Sequence, residues 1–107
     1  MSEAPIVQQD GKLQRSVQVI NKRGLHARAA AKFVKTAGGF DANVRVSASK
    51  CMAVNDGSSV SGRSIMGLMM LAAGPGSELC IQVDGRQAAE ALAALSSLVE
   101  NRFDEEE

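Results

Sequence analysis

Residues 13–39, LQRSVQVINKRGLHARAAAKFVKTAGG, decide how this chain folds. Leu13, Arg15, Val17 and Val19 alternate with Gln14, Ser16 and Gln18, the period of a half-buried strand, and Asn21-Lys22-Arg23-Gly24 breaks it with a loop. From Ala27 to Ala37 the period changes. Ala29, Ala30, Phe33, Val34 and Ala37 make one helical stripe, which Gly38-Gly39 ends. A strand over 13–20 therefore passes into a helix through a short turn. That turn holds His26, the only histidine in the chain.

Outward from there the same two periods recur. Phe40, Ala42, Val44, Val46 and Ala48 alternate with polar residues, and a turn signal at Asn55-Asp56-Gly57 leads to a short return over 58–61, an antiparallel hairpin. The stretch 49–54 breaks register and reads as bulge or loop, or as continuous strand. Ser64 precedes an apolar run from Ile65 to Ala73 closed by Gly74-Pro75-Gly76, a short helix with a serine N-cap. Leu79, Ile81 and Val83 give a last strand. Ala88, Ala89, Leu92, Leu95, Leu98, Val99 and Phe103 then fall at helical spacing over 86–103. The order βαββαβα predicts an α+β fold, an open-faced sandwich whose four-stranded, mainly antiparallel sheet is covered on one face by three helices. Residues 1–12 and 104–107 read as a flexible N-terminal and an acidic C-terminal tail around a domain over 13–103.

Composition narrows the function. With 107 residues one domain is expected. Twelve Lys plus Arg balance twelve Asp plus Glu, so no net field draws nucleic acid or an anionic membrane, and aromatics at 3% provide no stacking platform. No apolar run approaches the ~20 residues that span a bilayer, and the first twelve residues lack the apolar run of a signal peptide. Cys51 and Cys80 have no CxxC and no His/Cys cluster around them, so no metal site is expected. They read as ordinary small apolar residues in a reducing, cytoplasmic setting.

His26 stands where the turn enters the helix. The first turn of a helix leaves backbone N–H groups unpaired and carries roughly half a positive charge, so an anion on His26 would be held there without rearrangement. Arg28, two residues on, offers a bidentate fork to phosphate. Gly24 permits a tight turn, and Ala27, Ala29 and Ala30 leave the helix end uncrowded. A neutral imidazole nitrogen is a competent nucleophile near neutral pH. These residues fit transient phosphorylation; a plain N-cap or loop histidine is the alternative. A hydrolase with His26 as general base lacks a nucleophile or carboxylate partner nearby in the sequence.

The helix after Ser64 is too apolar to be buried all round in a small sandwich. At 100° per residue Leu68, Leu71 and Ala72 share one arc, the expected core side, while Met66 and Met70 lie opposite and Ile65 and Met69 at the edge. Exposed methionines beside Gly67 make an adaptable docking surface. Burial by a subunit interface is the competing reading.

Two segments carry a family resemblance. Gly24-Leu25-His26-Ala27-Arg28-Ala29-Ala30 resembles the active-site signature of the HPr family, the histidine phosphocarriers of the bacterial phosphoenolpyruvate phosphotransferase system. Ser64-Ile65-Met66-Gly67-Leu68-Met69-Met70-Leu71 resembles the form whose serine is phosphorylated by HPr kinase/phosphorylase. The resemblance spans about residues 13 to 103. It implies that His26 carries the phosphoryl group on its δ1 nitrogen with help from Arg28, and that Ser64 is regulatory. It also implies that Ile65, Met66 and Met69, on the face shared with Met70, contact enzyme I, the enzyme IIA proteins and the kinase. The carrier would be a monomer needing no cofactor. Three departures stand out: Ala29, where many relatives have proline, the lengthened hairpin around 48–58, and the longer tails. The pattern is most similar to proteobacterial forms, serving either sugar uptake or a nitrogen-related regulatory branch. A rival reading is a regulatory docking protein that uses the Met66–Met70 face, with Ser64 as its switch and His26 idle.

Overall fold

A computed structural model describes residues 6–9, 12–48, 51 and 59–105. The expected order is present: β2 (Lys12–Gln18), α1 (Ala27–Ala37), β3 (Asn43–Ser47), β4 (Val60–Ser61), α2 (Ile65–Met70), β5 (Glu78–Asp84) and α3 (Ala88–Glu100). A short strand, β1 (Val7–Gln9), precedes them. All pairings are antiparallel, in the order β1-β2-β5-β3-β4. The four predicted strands are therefore joined by a fifth, along the free edge of β2, where the sequence reading expected a flexible tail. With no periodicity in so short a run, only the pairing with β2 reveals it. The predicted Asn55-Asp56-Gly57 turn lies outside the described residues.

Register explains which side is covered. Leu13 pairs with Val83 and Val17 with Leu79, while Val83 and Ile81 face Val44 and Val46 on the other side. Cross-strand partners share a face, so these aliphatic side chains form one surface. Phe33 of α1, Leu68 of α2, and Leu92, Leu95 and Val99 of α3 complete the core. The alternating residues, including Gln14, Ser16, Cys80 and Gln82, lie on the opposite face.

That opposite face is not bare. Gln14 is buried; its amide Nε2 donates to the Cys51 carbonyl at 3.2 Å, and the Cys51 N–H donates to Ser16 Oγ at 3.2 Å. Cys51 and Cys80 are joined by a disulfide with Cα atoms 5.1 Å apart. This corrects the reading of two ordinary apolar thiols: spacing along the chain carries no sign that Cys51 lies against Cys80 of β5. Closing a span of 29 residues, the link stabilises by about 3–4 kcal/mol through lost freedom of the unfolded chain.

Two helices end earlier than the sequence predicts. In place of a helix from Ile65 to Ala73, α2 stops at Met70; Leu71 caps it, and Ala72 turns left-handed with φ 53°. Ala72 is consequently exposed rather than core, while Leu68 and Ala73 are buried. In place of a helix over 86–103, α3 closes at Glu100, and Arg102–Asp104 form a 3-10 segment in the left-handed region.

Candidate functional site

His26 is the N-cap residue of α1. Its backbone is extended, with φ −82° and ψ −177°, and its carbonyl accepts the first intrahelical bond from Ala30 N–H at 2.8 Å. The N–H groups of Ala27, Arg28 and Ala29 lie ahead of that bond, at the positive end of an eleven-residue helix. The imidazole makes no cap bond to them. Arg28 is exposed on the second helical residue. Ala29 and Ala30, predicted to keep the helix end uncrowded, are fully buried and pack the core; only Ala27 stays open.

The turn before His26 is clamped from outside. Gly24 has φ +68°, and Leu25 N–H donates to the Ala73 carbonyl at 2.9 Å. Asn21, fully buried, donates from Nδ2 to the Gly24 carbonyl at 2.8 Å, closing the turn on itself. Asn21 Oδ1 is buried with no hydrogen-bond partner among the described residues.

The side chain that meets His26 comes from the far end of the chain. His26 Nε2 forms a short hydrogen bond with Glu105 Oε2, and Glu105 Oε1 accepts from Asn21 Nδ2 at 3.0 Å. Burial raises the Glu105 pKa. The bonds from Asn21 and His26, with the charges of His26 and Arg23, outweigh this and hold the carboxyl below its ordinary value. Three consecutive left-handed residues deliver it: Arg102, Phe103 and Asp104, with φ of 59°, 52° and 62°. Each costs about 1–2 kcal/mol for a residue with a Cβ. The burial of Phe103 and a 2.7 Å bond from Lys32 Nζ to its carbonyl hold the turn against α1. The reading of 104–107 as a solvated tail is thus corrected at Glu105, which is half-buried. Neither Asn21 nor Glu105 was singled out from sequence; one stood in a loop and the other in an acidic run.

On α2, Ser64 is the N-cap, its Oγ accepting from Gly67 N–H at 2.9 Å. Met66 and Met70 are 75% and 80% exposed, and Ile65 and Met69 are 41% and 43% exposed. Leu68 alone in the helix is buried. Arg63, exposed beside Ser64, donates from its guanidinium to the carbonyls of Phe40 and Ala42 at 3.0 and 2.9 Å. Among the described residues no group of three or more His, Cys, Asp or Glu is placed to hold a metal ion, and no helix is long and apolar enough to cross a membrane.

Comparison with known proteins bears on the strand, turn and helix that carry His26. The family model for the PTS HPr component phosphorylation site matches residues 13–101. Phosphocarrier protein HPr of Pseudomonas aeruginosa is 53% identical over 91 residues, covering 85% of this chain and 94% of that relative. The HPr of Cupriavidus necator is 47% identical over 95 residues, covering 89% of this chain and 99% of that one. A crystal structure of HPr from Bacillus anthracis superposes with a TM-score of 0.73 at 42% identity, covering 84% of this chain and 99% of that one. With matches of this extent in sequence and in fold, the chain belongs to the HPr family of phosphocarrier proteins.

Proposed function

We propose that His26 accepts a phosphoryl group from enzyme I of the phosphotransferase system and passes it to a histidine of an enzyme IIA protein. The observation that carries this reading is the imidazole at the N-cap of α1. Its Nε2 is occupied by Glu105, and the free N–H groups of the first turn lie beside it. A phosphoryl group on Nδ1 would meet aligned donors that need no reorganisation, with the Arg28 guanidinium in reach of the same helix end. Catalysis here is positioning and electrostatics, completed by groups of the partner.

The exposed face of α2 favours a companion role. Ile65, Met66, Met69 and Met70 form the docking surface for enzyme I, enzyme IIA proteins and HPr kinase/phosphorylase. Phosphorylation of Ser64 by that kinase would set a dianion beside the apolar patch, which a partner would have to desolvate. On this reading the protein acts as a monomer in the cytoplasm, without membrane or nucleic acid, and the Cys51–Cys80 link there stands against a reducing environment.

The test is incubation with enzyme I and labelled phosphoenolpyruvate. Wild type takes up acid-labile label and His26→Ala takes up none. A labelled His26→Ala protein would end the phosphocarrier reading; an unlabelled wild type that still binds its partners would favour the docking protein instead.

A further inference from the structure

Glu105 lies beyond the residues that the family model matches, yet it reaches the candidate nucleophile. Its approach is built rather than incidental. A left-handed stretch of three non-glycine residues is among the costliest turns a chain can make, and it persists only where the surroundings enforce it. Phe103, wholly buried, and Lys32 of α1 do so, and the result is a carboxylate with each oxygen bonded, one to Asn21 and one to His26. Asn21 also fixes the Gly24 turn, so one buried amide ties both the turn and the carboxylate that flank the imidazole.

We propose that Glu105 is a positioning residue that accepts the Nε2–H of His26 and so keeps the lone pair on Nδ1 for phosphoryl transfer. The inference rests on His26 being the phosphoryl acceptor. With the carboxylate ionised, Nε2 must donate, and the neutral ring is held in the tautomer whose Nδ1 carries the free electron pair. In the forward step that pair forms the N–P bond as the bond between phosphorus and the phosphorylated partner breaks, and no proton leaves the ring. The positive charge the ring acquires is met by Glu105. In onward transfer the N–P bond breaks, its electron pair returns to Nδ1, and the ring leaves neutral. Glu105 and His26 thus form a carboxylate-histidine pair, in which a hydrogen bond to one ring nitrogen fixes the tautomer and the orientation of the ring.

Glu105→Gln and Glu105→Ala, with Glu105→Asp as the conservative partner, test this in the full chain. Ring nitrogen NMR should show in wild type an Nε2 proton protected from solvent exchange, which Glu105→Ala loses. In transfer from phosphorylated enzyme I, kcat should fall about tenfold in Glu105→Ala and Glu105→Gln while KM stays unchanged, and Glu105→Asp should restore part of the rate. Glu105→Gln preserves side-chain volume, so a folding failure of the alanine variant leaves the test standing. Wild-type kcat in Glu105→Gln beside a labelled wild type overturns this inference alone, as does a rise in KM with kcat unchanged, which would make Glu105 a docking residue. An unlabelled wild type overturns the phosphocarrier reading itself, while the ring-proton comparison still reads the contact.

Discussion

The Cα of Gly24 is pressed against the carbonyl of Ala73: a Cβ built on it would lie 2.6 Å from that oxygen. The turn that presents His26 is thereby seated on the segment that leaves α2, and the neighbouring Leu25 N–H bonds the same carbonyl. Gly24→Ala meets both this backbone contact and a φ of +68°. It should destabilise by at least about 1–2 kcal/mol from the left-handed backbone alone, and the displaced turn should slow transfer through His26. Denaturant melts beside transfer assays check both; an unchanged midpoint would mean the turn re-seats without cost.

Arg28 is exposed on the first turn of α1, where removal touches no core. Loss of one charge-assisted bond is worth about 1.5–3 kcal/mol, so Arg28→Ala should slow transfer roughly tenfold to a hundredfold with stability within about 0.5 kcal/mol of wild type. Arg28→Lys keeps the charge but not the fork and should fall between. Equal rates for all three would remove Arg28 from the site.

Met66 is three-quarters exposed, so a charge placed there meets solvent rather than the core. Met66→Glu should weaken enzyme I binding by about tenfold or more and leave the melting temperature nearly unchanged. A steep loss of stability would show that the side chain packs inward.

For Ser64, capping and regulation separate by substitution. Ser64→Ala removes the acceptor for Gly67 N–H and should cost about 1 kcal/mol of stability with little effect on binding. Ser64→Asp keeps an acceptor and adds a charge, so stability should hold while enzyme I binding falls. Equal affinity of wild type and Ser64→Asp would leave Ser64 as a cap only.

The lowered pKa of Glu105 sets a pH dependence. A carboxyl depressed in the folded state adds stability that is full above its unfolded value near 4.5 and drains as pH falls through the lower folded value. The stability gap between wild type and Glu105→Gln should therefore close on acidification below about pH 4.5. A gap that persists unchanged to pH 2 would show that the carboxylate's charge is not what stabilises the contact.

The passage from β2 through Gly24 and His26 into α1 was legible because two periods abut there, and α1 was bounded by glycines at one end and a polar turn at the other. The Leu68 side of α2 and its methionine side followed from the same angular arithmetic. What the residues did not announce depends on contacts distant in sequence. Phe103 sits in helical phase with Val99, and nothing in Asn101-Arg102-Phe103 marks a left-handed turn, since glycine, its usual signal, is absent. Cys51 meets Cys80 across a separation of 29 residues, a contact made only in three dimensions. Glu105, 79 positions from His26, was hidden by the acid-rich run around it.

Leu68 is the one buried side chain of α2, a six-residue helix anchored otherwise by the Ser64 cap at its start. A helix so lightly rooted opens by local fluctuation at a fraction of the free energy that guards α3, whose inner side is buried from Ala88 to Val99. In amide hydrogen exchange α2 should therefore surrender its protons first among the three helices. On the docking reading proposed above, such a patch would be a compliant one, adjusting to surfaces of different curvature while the imidazole keeps its place at the start of α1.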